Sequence, residues 1–298
     1  MLKVVEKRKI WFTISIIIIV IGIGFMCYRG LNFGIDFRGG TLMQININKD
    51  FNKQDADKII EKYVKTNEFE STKANNKELD IRINSEAISD ENTTKLFNDI
   101  KDKYKLKDSD LISRERIGAT IGNDLVKNAV TALSISIILM LFFIAYRFEL
   151  KFGIAAIIAL LHDVLITLSV YAIGNLQINT PFIAAILTII GYSIADTIVI
   201  FDRIRENQKK LRGRELIEIA DTSISQTVGR SICTVTTTVV TITCLHIFVP
   251  GVREFTIPIL VGIISGCYSS IFIASPIWYL FKKRSSHKKI IDKKELIK

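Results

Sequence analysis

Two aspartates sit in stretches that water would not be expected to reach. Asp196 follows eleven or more apolar or small residues, and Asp163 lies near the middle of another apolar run, beside His162. An ionisable group inside hydrocarbon is costly and marks a functional site by default. The chemistry on offer is reversible protonation, because desolvation disfavours a carboxylate and full burial displaces such a pKa by as much as roughly 3–5 units. A charged Asp at a bilayer centre costs about 2.5–3.5 kcal/mol on insertion scales, and a proton gains about 2.3 kcal/mol per 100 mV. These magnitudes are comparable. One proton could therefore shift the balance between two packings of the helix that carries it.

The residues around the aspartates are spaced for helix contacts. Ala184, Thr188, Tyr192 and Asp196 recur every four positions, with Ser193 and Thr197 flanking the aspartate. That puts small and polar groups in one strip of an apolar helix, which suits a polar helix–helix interface. A companion strip runs through Arg230, Thr234, Thr237 or Thr238, and Thr241. Gly262, Gly266 and Ser270 repeat as a small-xxx-small seam, which packing alone explains. Asp163 must face protein or water and is expected to play a structural hydrogen-bonding role, with proton linkage as the secondary reading. His162 reads as a neutral, hydrogen-bonded interior group rather than a metal ligand. The four cysteines, Cys27, Cys233, Cys244 and Cys267, lack metal-ligand spacing. No nucleophile–base pair stands out, so neither an enzyme nor a cofactor is expected.

The elements that must position these groups are long apolar runs. Six of them, at about 10–27, 129–146, 152–173, 180–201, 232–249 and 257–281, reach the roughly 20 residues a helix needs to cross hydrocarbon. The first is too long for a signal-peptide core and lacks an A-x-A-like site, so it is expected to stay as an anchor. The Thr-rich run TVTTTVVTIT has strand propensity, but a lone strand in hydrocarbon leaves its backbone unpaired, and a helix is expected. Segments 1–9, 147–151, 202–230 and 282–298 together carry 21 Lys+Arg against 9 Asp+Glu. Residues 28–128 carry 18 of each. By the positive-inside rule both termini are cytoplasmic and residues 28–128 extracytoplasmic. The net charge of +10 is thus a topology and lipid-headgroup signal rather than a nucleic-acid one.

The expected organisation is a cytoplasmic N-terminus (1–9), a first transmembrane helix (10–27), an extracytoplasmic domain (28–128), a five-helix membrane domain (129–281) and a basic cytoplasmic tail (282–298). The fold class is an α-helical membrane protein with six transmembrane helices and a small α+β domain between the first two. Within that domain TLMQINI and ELDIRIN alternate as strands, and NKQDADKIIEKYVKT and SDENTTKLFNDIKDKYK are amphipathic helices. LISRERIG closes the order strand, helix, strand, helix, strand. No catalytic constellation appears in it, which favours a binding or docking module. RGLNFGIDFRGG, dense in glycine, reads as a tight exit from the membrane into the first strand. After the fourth run, Leu216, Ile217, Ile219, Ile224 and Val228 suggest an amphipathic helix along the membrane surface.

GIDFRGG at 34–40, LLHDV at 160–164, GYSIADTIVIFDRIREN at 191–207, QTVGR at 226–230 and YSSIFIASP at 268–276 resemble, in order, the SecD/SecF family of protein-export membrane proteins within the RND superfamily. The resemblance covers about residues 10–281. It implies pairing with SecD around the SecYEG channel, with YajC a further candidate partner, and use of the proton motive force to promote export of unfolded preproteins across the bacterial plasma membrane. The family's proton-linked aspartate falls on Asp196 and its fifth-helix arginine on Arg230. The family motif at the domain base places Gly34, Asp36, Gly39 and Gly40. One departure is Ala195, where the family usually has Asn before the aspartate. Alternatives are half of an RND-type lipid or drug efflux transporter, or a purely structural subunit stabilising SecD and the channel.

Overall fold

The computed structural model describes residues 2–295 except 67, 75–76, 85–87, 118 and 148. The first helix, α1 (Arg8–Arg29), ends at Gly30, whose left-handed φ of 78° turns the chain out of the helix. One helical turn follows, α2 (Ile35–Arg38), and then the domain: β1 (Gly40–Asn46), α3 (Lys53–Ile60), β2 (Phe69–Ala74), β3 (Glu78–Asn84), α4 (Asp90–Tyr104) and β4 (Leu111–Ile117). The strands form one antiparallel sheet in the order β2-β3-β1-β4. Alternation sends Met43, Ile45, Leu79, Ile81 and Ile83 to one face, where α3 and α4 cover them with Ala56, Ile60, Leu96 and Ile100. Asn52 and Ser89 cap the two helices, accepting from the backbone N–H groups of Gln54 and Asn92.

The rest of the chain is helical: α5 (Ala119–Arg147), α6 (Leu150–Gly174), α7 (Thr180–Lys210), α8 (Leu216–Phe248), α9 (Arg253–Ser269), a π-helical turn (Ser270–Ala274) and α10 (Ser275–Glu295). Among the described residues six spans are long and apolar enough to cross a membrane. The sixth, Arg253–Ser285, joins α9, the π turn and the start of α10. The π turn has a local cause, since the ring of Pro276 excludes the carbonyl four residues back and the ladder widens there. α7 packs against α6, α8 and α9, and Phe201, Ile204, Phe152 and Trp278 fill the core at the basic end. α5 and α8 lie outside, with 0% and 6% of their spanning windows buried against 61% for the sixth span.

Three expectations change. The apolar residues after Leu216 form no separate surface helix. They are the first turns of a continuous α8, where Ile219 and Ile224 are buried because Asp221 and Ser223 bond to neighbouring segments. The domain has a further strand, β2, whose sequence FESTKA offers too few apolar residues to register as an alternating pattern. The glycine-rich exit holds the α2 turn instead of running straight into β1. At the other end, residues 296–298 of the expected tail lie outside the described residues.

Candidate functional site

Asp163, midway along α6, is completely enclosed. Its Oδ1 accepts from Ser265 Oγ at 2.8 Å and lies 3.1 Å from His162 Nδ1. Its Oδ2 accepts from Ser193 and Ser269, each at 2.7 Å. With Nδ1 carrying the imidazole proton, the carboxylate takes four hydrogen bonds and His162 Nε2 can accept the Ser15 hydroxyl, 3.0 Å away on α1. Tyr268 stacks on the His162 ring and donates to the Trp11 carbonyl at 2.9 Å. One carboxylate thus ties together α1, α6, α7 and α9. The small residues of α9 permit the approach: a Cβ at Gly266 would stand 3.0 Å from Ser193 Cβ, and one at Gly262 would overlap Ile189. Ser270, in the π turn, meets Thr197 Oγ1 at 2.8 Å.

Asp196 lies three residues beyond Ser193 on α7 and faces α8 instead. Its Oδ1 accepts from Ser231 Oγ at 2.5 Å, and its Oδ2 is buried with no hydrogen-bond partner. One turn earlier, Tyr192 OH donates to the Thr234 carbonyl at 3.0 Å and meets Thr238 Oγ1 at 2.9 Å. Thr237 and Thr241 are exposed and bond only to carbonyls of their own helix. Arg230 is exposed, next to Ser231 on α8. It lines a cavity of about 610 Å³ at the basic end of the α7–α8 seam, with Asp202, Arg203, Glu206 and Gln226. Ala195 and Gly191 are exposed beside the carboxylate. The polar residues therefore fall into two groups: Ser193, Thr197 and Ser270 on the Asp163 side, and Tyr192, Thr234, Thr238 and Arg230 on the Asp196 side.

Both groups connect to the domain through the far ends of α7 and α9. Asp36 Oδ2 accepts from the Thr180 backbone N–H at 2.7 Å, capping α7 from 144 residues away. Asn32 to Gly34 pair with Ile178 as a short parallel bridge. Gly34 lies so close to the Asn179 amide that a side chain there would displace it. Gly39 adopts φ 77°, and Gly40 runs against the Ile83 carbonyl of β3. From β3, Arg82 pairs with Glu254 in the first turn of α9 and reaches Gln177 at 3.2 Å, while Asn179 Nδ2 donates to Glu254 at 2.8 Å. These contacts join the N-terminal ends of α7 and α9 to the sheet.

Four contributors escaped the sequence reading: Ser15, Ser231, Ser265 and Ser269. Serines are common in helices that cross membranes, and nothing local separates these four from others. The usable signal was spacing, since Ser265 and Ser269 stand one turn apart and flank Gly266 on the small-residue seam.

Two carboxylates on the central helices of a bundle with six apolar spans, and a small α+β domain inserted after the first, define a multi-pass membrane protein whose central helices carry titratable groups. The family model for "Protein export membrane protein SecD/SecF, C-terminal" matches residues 97–284, and that for the "SecD/SecF GG Motif" matches 29–50. The chain belongs to the SecD/SecF family. It is 37% identical over 95% of its length to the protein translocase subunit SecF of Sebaldella termitidis, covering 92% of that protein. The SecF of Haemophilus influenzae is 35% identical over 95% of the chain, which covers 86% of it. A crystal structure of SecDF, a translocon-associated membrane protein from Thermus thermophilus, superposes with a TM-score of 0.82 at 32% identity. The match covers 94% of this chain and 38% of the SecDF chain.

Proposed function

We propose that the chain works as the SecF subunit of the Sec protein translocase. With a SecD-type partner, it uses the proton motive force to promote export of preproteins through the SecYEG channel. The observation that carries this reading is the unequal treatment of the two aspartates. Asp163 has every acceptor position engaged and holds four helices together. Asp196 has one donor, one orphaned oxygen, and an exposed flank at Gly191 and Ala195 where a second membrane subunit can pack. A carboxylate with an unmet hydrogen-bonding demand is the one whose surroundings change when it gains a proton, since a protonated oxygen becomes a donor. Protonation of Asp196 then alters the α7–α8 seam through Ser231. The motion passes along α7 to Thr180 and Asp36, a path of roughly 24 Å at 1.5 Å per residue. The excess of Lys and Arg in the segments flanking the spans supports cytoplasmic termini, which would put the domain on the outer side, where emerging preprotein would be met. Ala195 removes a polar neighbour present in the family pattern and leaves Ser231 as the donor to Asp196.

The test is export. Asp196→Asn, in cells that still assemble the subunit with its partner, should abolish stimulation of preprotein export. Normal export in that strain would sink the proposal.

A further inference from the structure

Beside the Asp163 network, whose Ser15 and His162 stand in its lining, a groove of about 320 Å³ opens on the face of the bundle between α1, α6 and the start of α10. Phe12, Ile16, Leu161, Leu165 and Ile277 make its walls, and its lining is almost wholly apolar. Two cations stand toward the basic ends of the same elements, α1 and α10. Arg8 sits one turn before Phe12 on the same face of α1, its guanidinium 5.5 Å from the centroid of the Tyr279 ring. Lys283, one turn after Tyr279, brings its ammonium within 6.0 Å of the same ring. Some neighbouring cations at this end are paired, Lys282 with Glu149, Arg203 and Lys210 with Glu206, and Arg205 with Asp202. Lys7, Lys9, Lys209 and Arg284, like Arg8 and Lys283, are in no ion pair among the described residues. What sets Arg8 and Lys283 apart is the Tyr279 ring they share. Arg8 gives one N–H to the Val5 carbonyl at 3.0 Å, leaving four further donors.

We infer that the cation pair and the groove together form a binding site for one anionic phospholipid. The phosphate sits between Arg8 and Lys283, and one acyl chain lies along the groove. The dimensions agree: from Arg8 to Ile19 on the groove wall, α1 rises about 16 Å, close to half of a hydrocarbon core about 30 Å thick. The site therefore matches one leaflet, with charge at headgroup level and apolar wall at chain level. Anionic lipid attracts basic residues at this level, and an arginine and a lysine with no carboxylate partner among the described residues are complementary to a phosphodiester.

The full chain, purified with its membrane partner and exchanged into nanodiscs of equal phosphatidylglycerol and phosphatidylcholine, is analysed by native mass spectrometry for retained lipid. One phosphatidylglycerol should be retained in preference to phosphatidylcholine. Arg8→Gln and Lys283→Gln should each lower its retention by about fivefold, the weight of one basic residue at an anionic surface. Leu161→Trp, on an exposed position, should fill the groove and reduce retention of either lipid. Lys209→Gln, an exposed charge elsewhere at the same end, should change nothing. Equal retention of the two lipids by the unaltered protein overturns the inference without recourse to any variant. So does a loss in Lys209→Gln as large as in Arg8→Gln, which would mean diffuse attraction. Displacement of the bound lipid by excess soluble glycerol phosphate would make the site a phosphate site without a chain, and would overturn it too.

Discussion

The two aspartates of the membrane bundle are both flanked by serines and differ in almost everything else. Asp163 is enclosed by α1, α6, α7 and α9, and each of its oxygens accepts at least one serine hydroxyl. Asp196 sits at the α7–α8 seam with a single serine on one oxygen and none on the other. Buried polar groups whose demands are all met specify a unique packing, and partly met ones are where an alternative arrangement costs least. Under the proposed function the difference gives a task to each: Asp163 would hold the core in one arrangement, and Asp196 would be the point at which that arrangement can be changed.

The largest effect should come from the first of these. Asp163→Ala removes the acceptor of three serine hydroxyls and leaves a cavity. At about 1–3 kcal/mol for each unsatisfied buried group, the loss is at least about 3 kcal/mol. The expected result is failure to recover folded protein by size-exclusion chromatography, with Asp163→Asn intermediate because one amide oxygen can still accept. A stable, monodisperse Asp163→Ala protein would erase the distinction between the two sites. Asp196→Asn should do the reverse. Its melting should stay within about 0.5 kcal/mol of the unaltered protein, while stimulation of export is lost. Melting and export measured on the same two variants separate the tasks.

The next effect is on the seam that lets Ser193 reach Asp163. A methyl at Gly262 overlaps the Ile189 side chain, and overpacking of this kind typically costs about 1–3 kcal/mol. Gly262→Ala should lower the melting temperature without altering assembly with the partner. Gly191→Ala, where a Cβ meets nothing within 4 Å in this chain, should leave the isolated subunit unaffected.

How much of this was legible beforehand depends on the range of the interaction. The six spans, the Thr-rich helix and the α+β character of the domain follow from apolar run length and alternation, which are local. Asp36 was legible only as part of a glycine-rich motif, because its partner, the Thr180 N–H, is 144 residues away and exists only once α7 is formed. The placement of Ser193 was misread for a similar reason. Its spacing puts it near Asp196, but three residues leave the two side chains about 60° apart around the helix, enough to aim them at different neighbours. α8 deceived in another way: Ile219 and Ile224 suggested a membrane-surface face, whereas Asp221, whose carboxylate receives the Val5 N–H at 2.8 Å, draws that face into the bundle.

The comparison extends to the domain, where smaller effects test the link. Arg82 is a partly buried bridge from β3 to Glu254 and Gln177. Arg82→Gln should cost no more than about 1 kcal/mol, as half-exposed ion pairs do. It should nevertheless speed amide exchange at Ile178 and Thr180, which the bridge holds against the domain. Unchanged exchange there would show that the Asp36 cap alone carries the connection.

The smallest effect concerns Asp80, beside Arg82 on the sheet face turned to the bundle. Burial holds its carboxyl above the ordinary value of 3.8, with Arg82 opposing and with Glu78 and Glu254 adding to the rise. A carboxylate raised on folding is protonated more readily in the folded state. Its best contribution to stability is therefore present below pH 3.8 and is lost as pH rises through the folded value. At neutral pH the charge is a small liability, and Asp80→Asn should stabilise. Because the group is partly exposed, solvent screening limits the gain to less than about 0.5 kcal/mol, or about 1–2 °C in Tm. The gain should shrink as the pH of the melt is lowered from 7.5 toward 4. A gain that instead grew on acidification would mean that the bond from Gln44 and the charge of Arg82 outweigh burial. Asp80 would then be a group whose charge the fold satisfies.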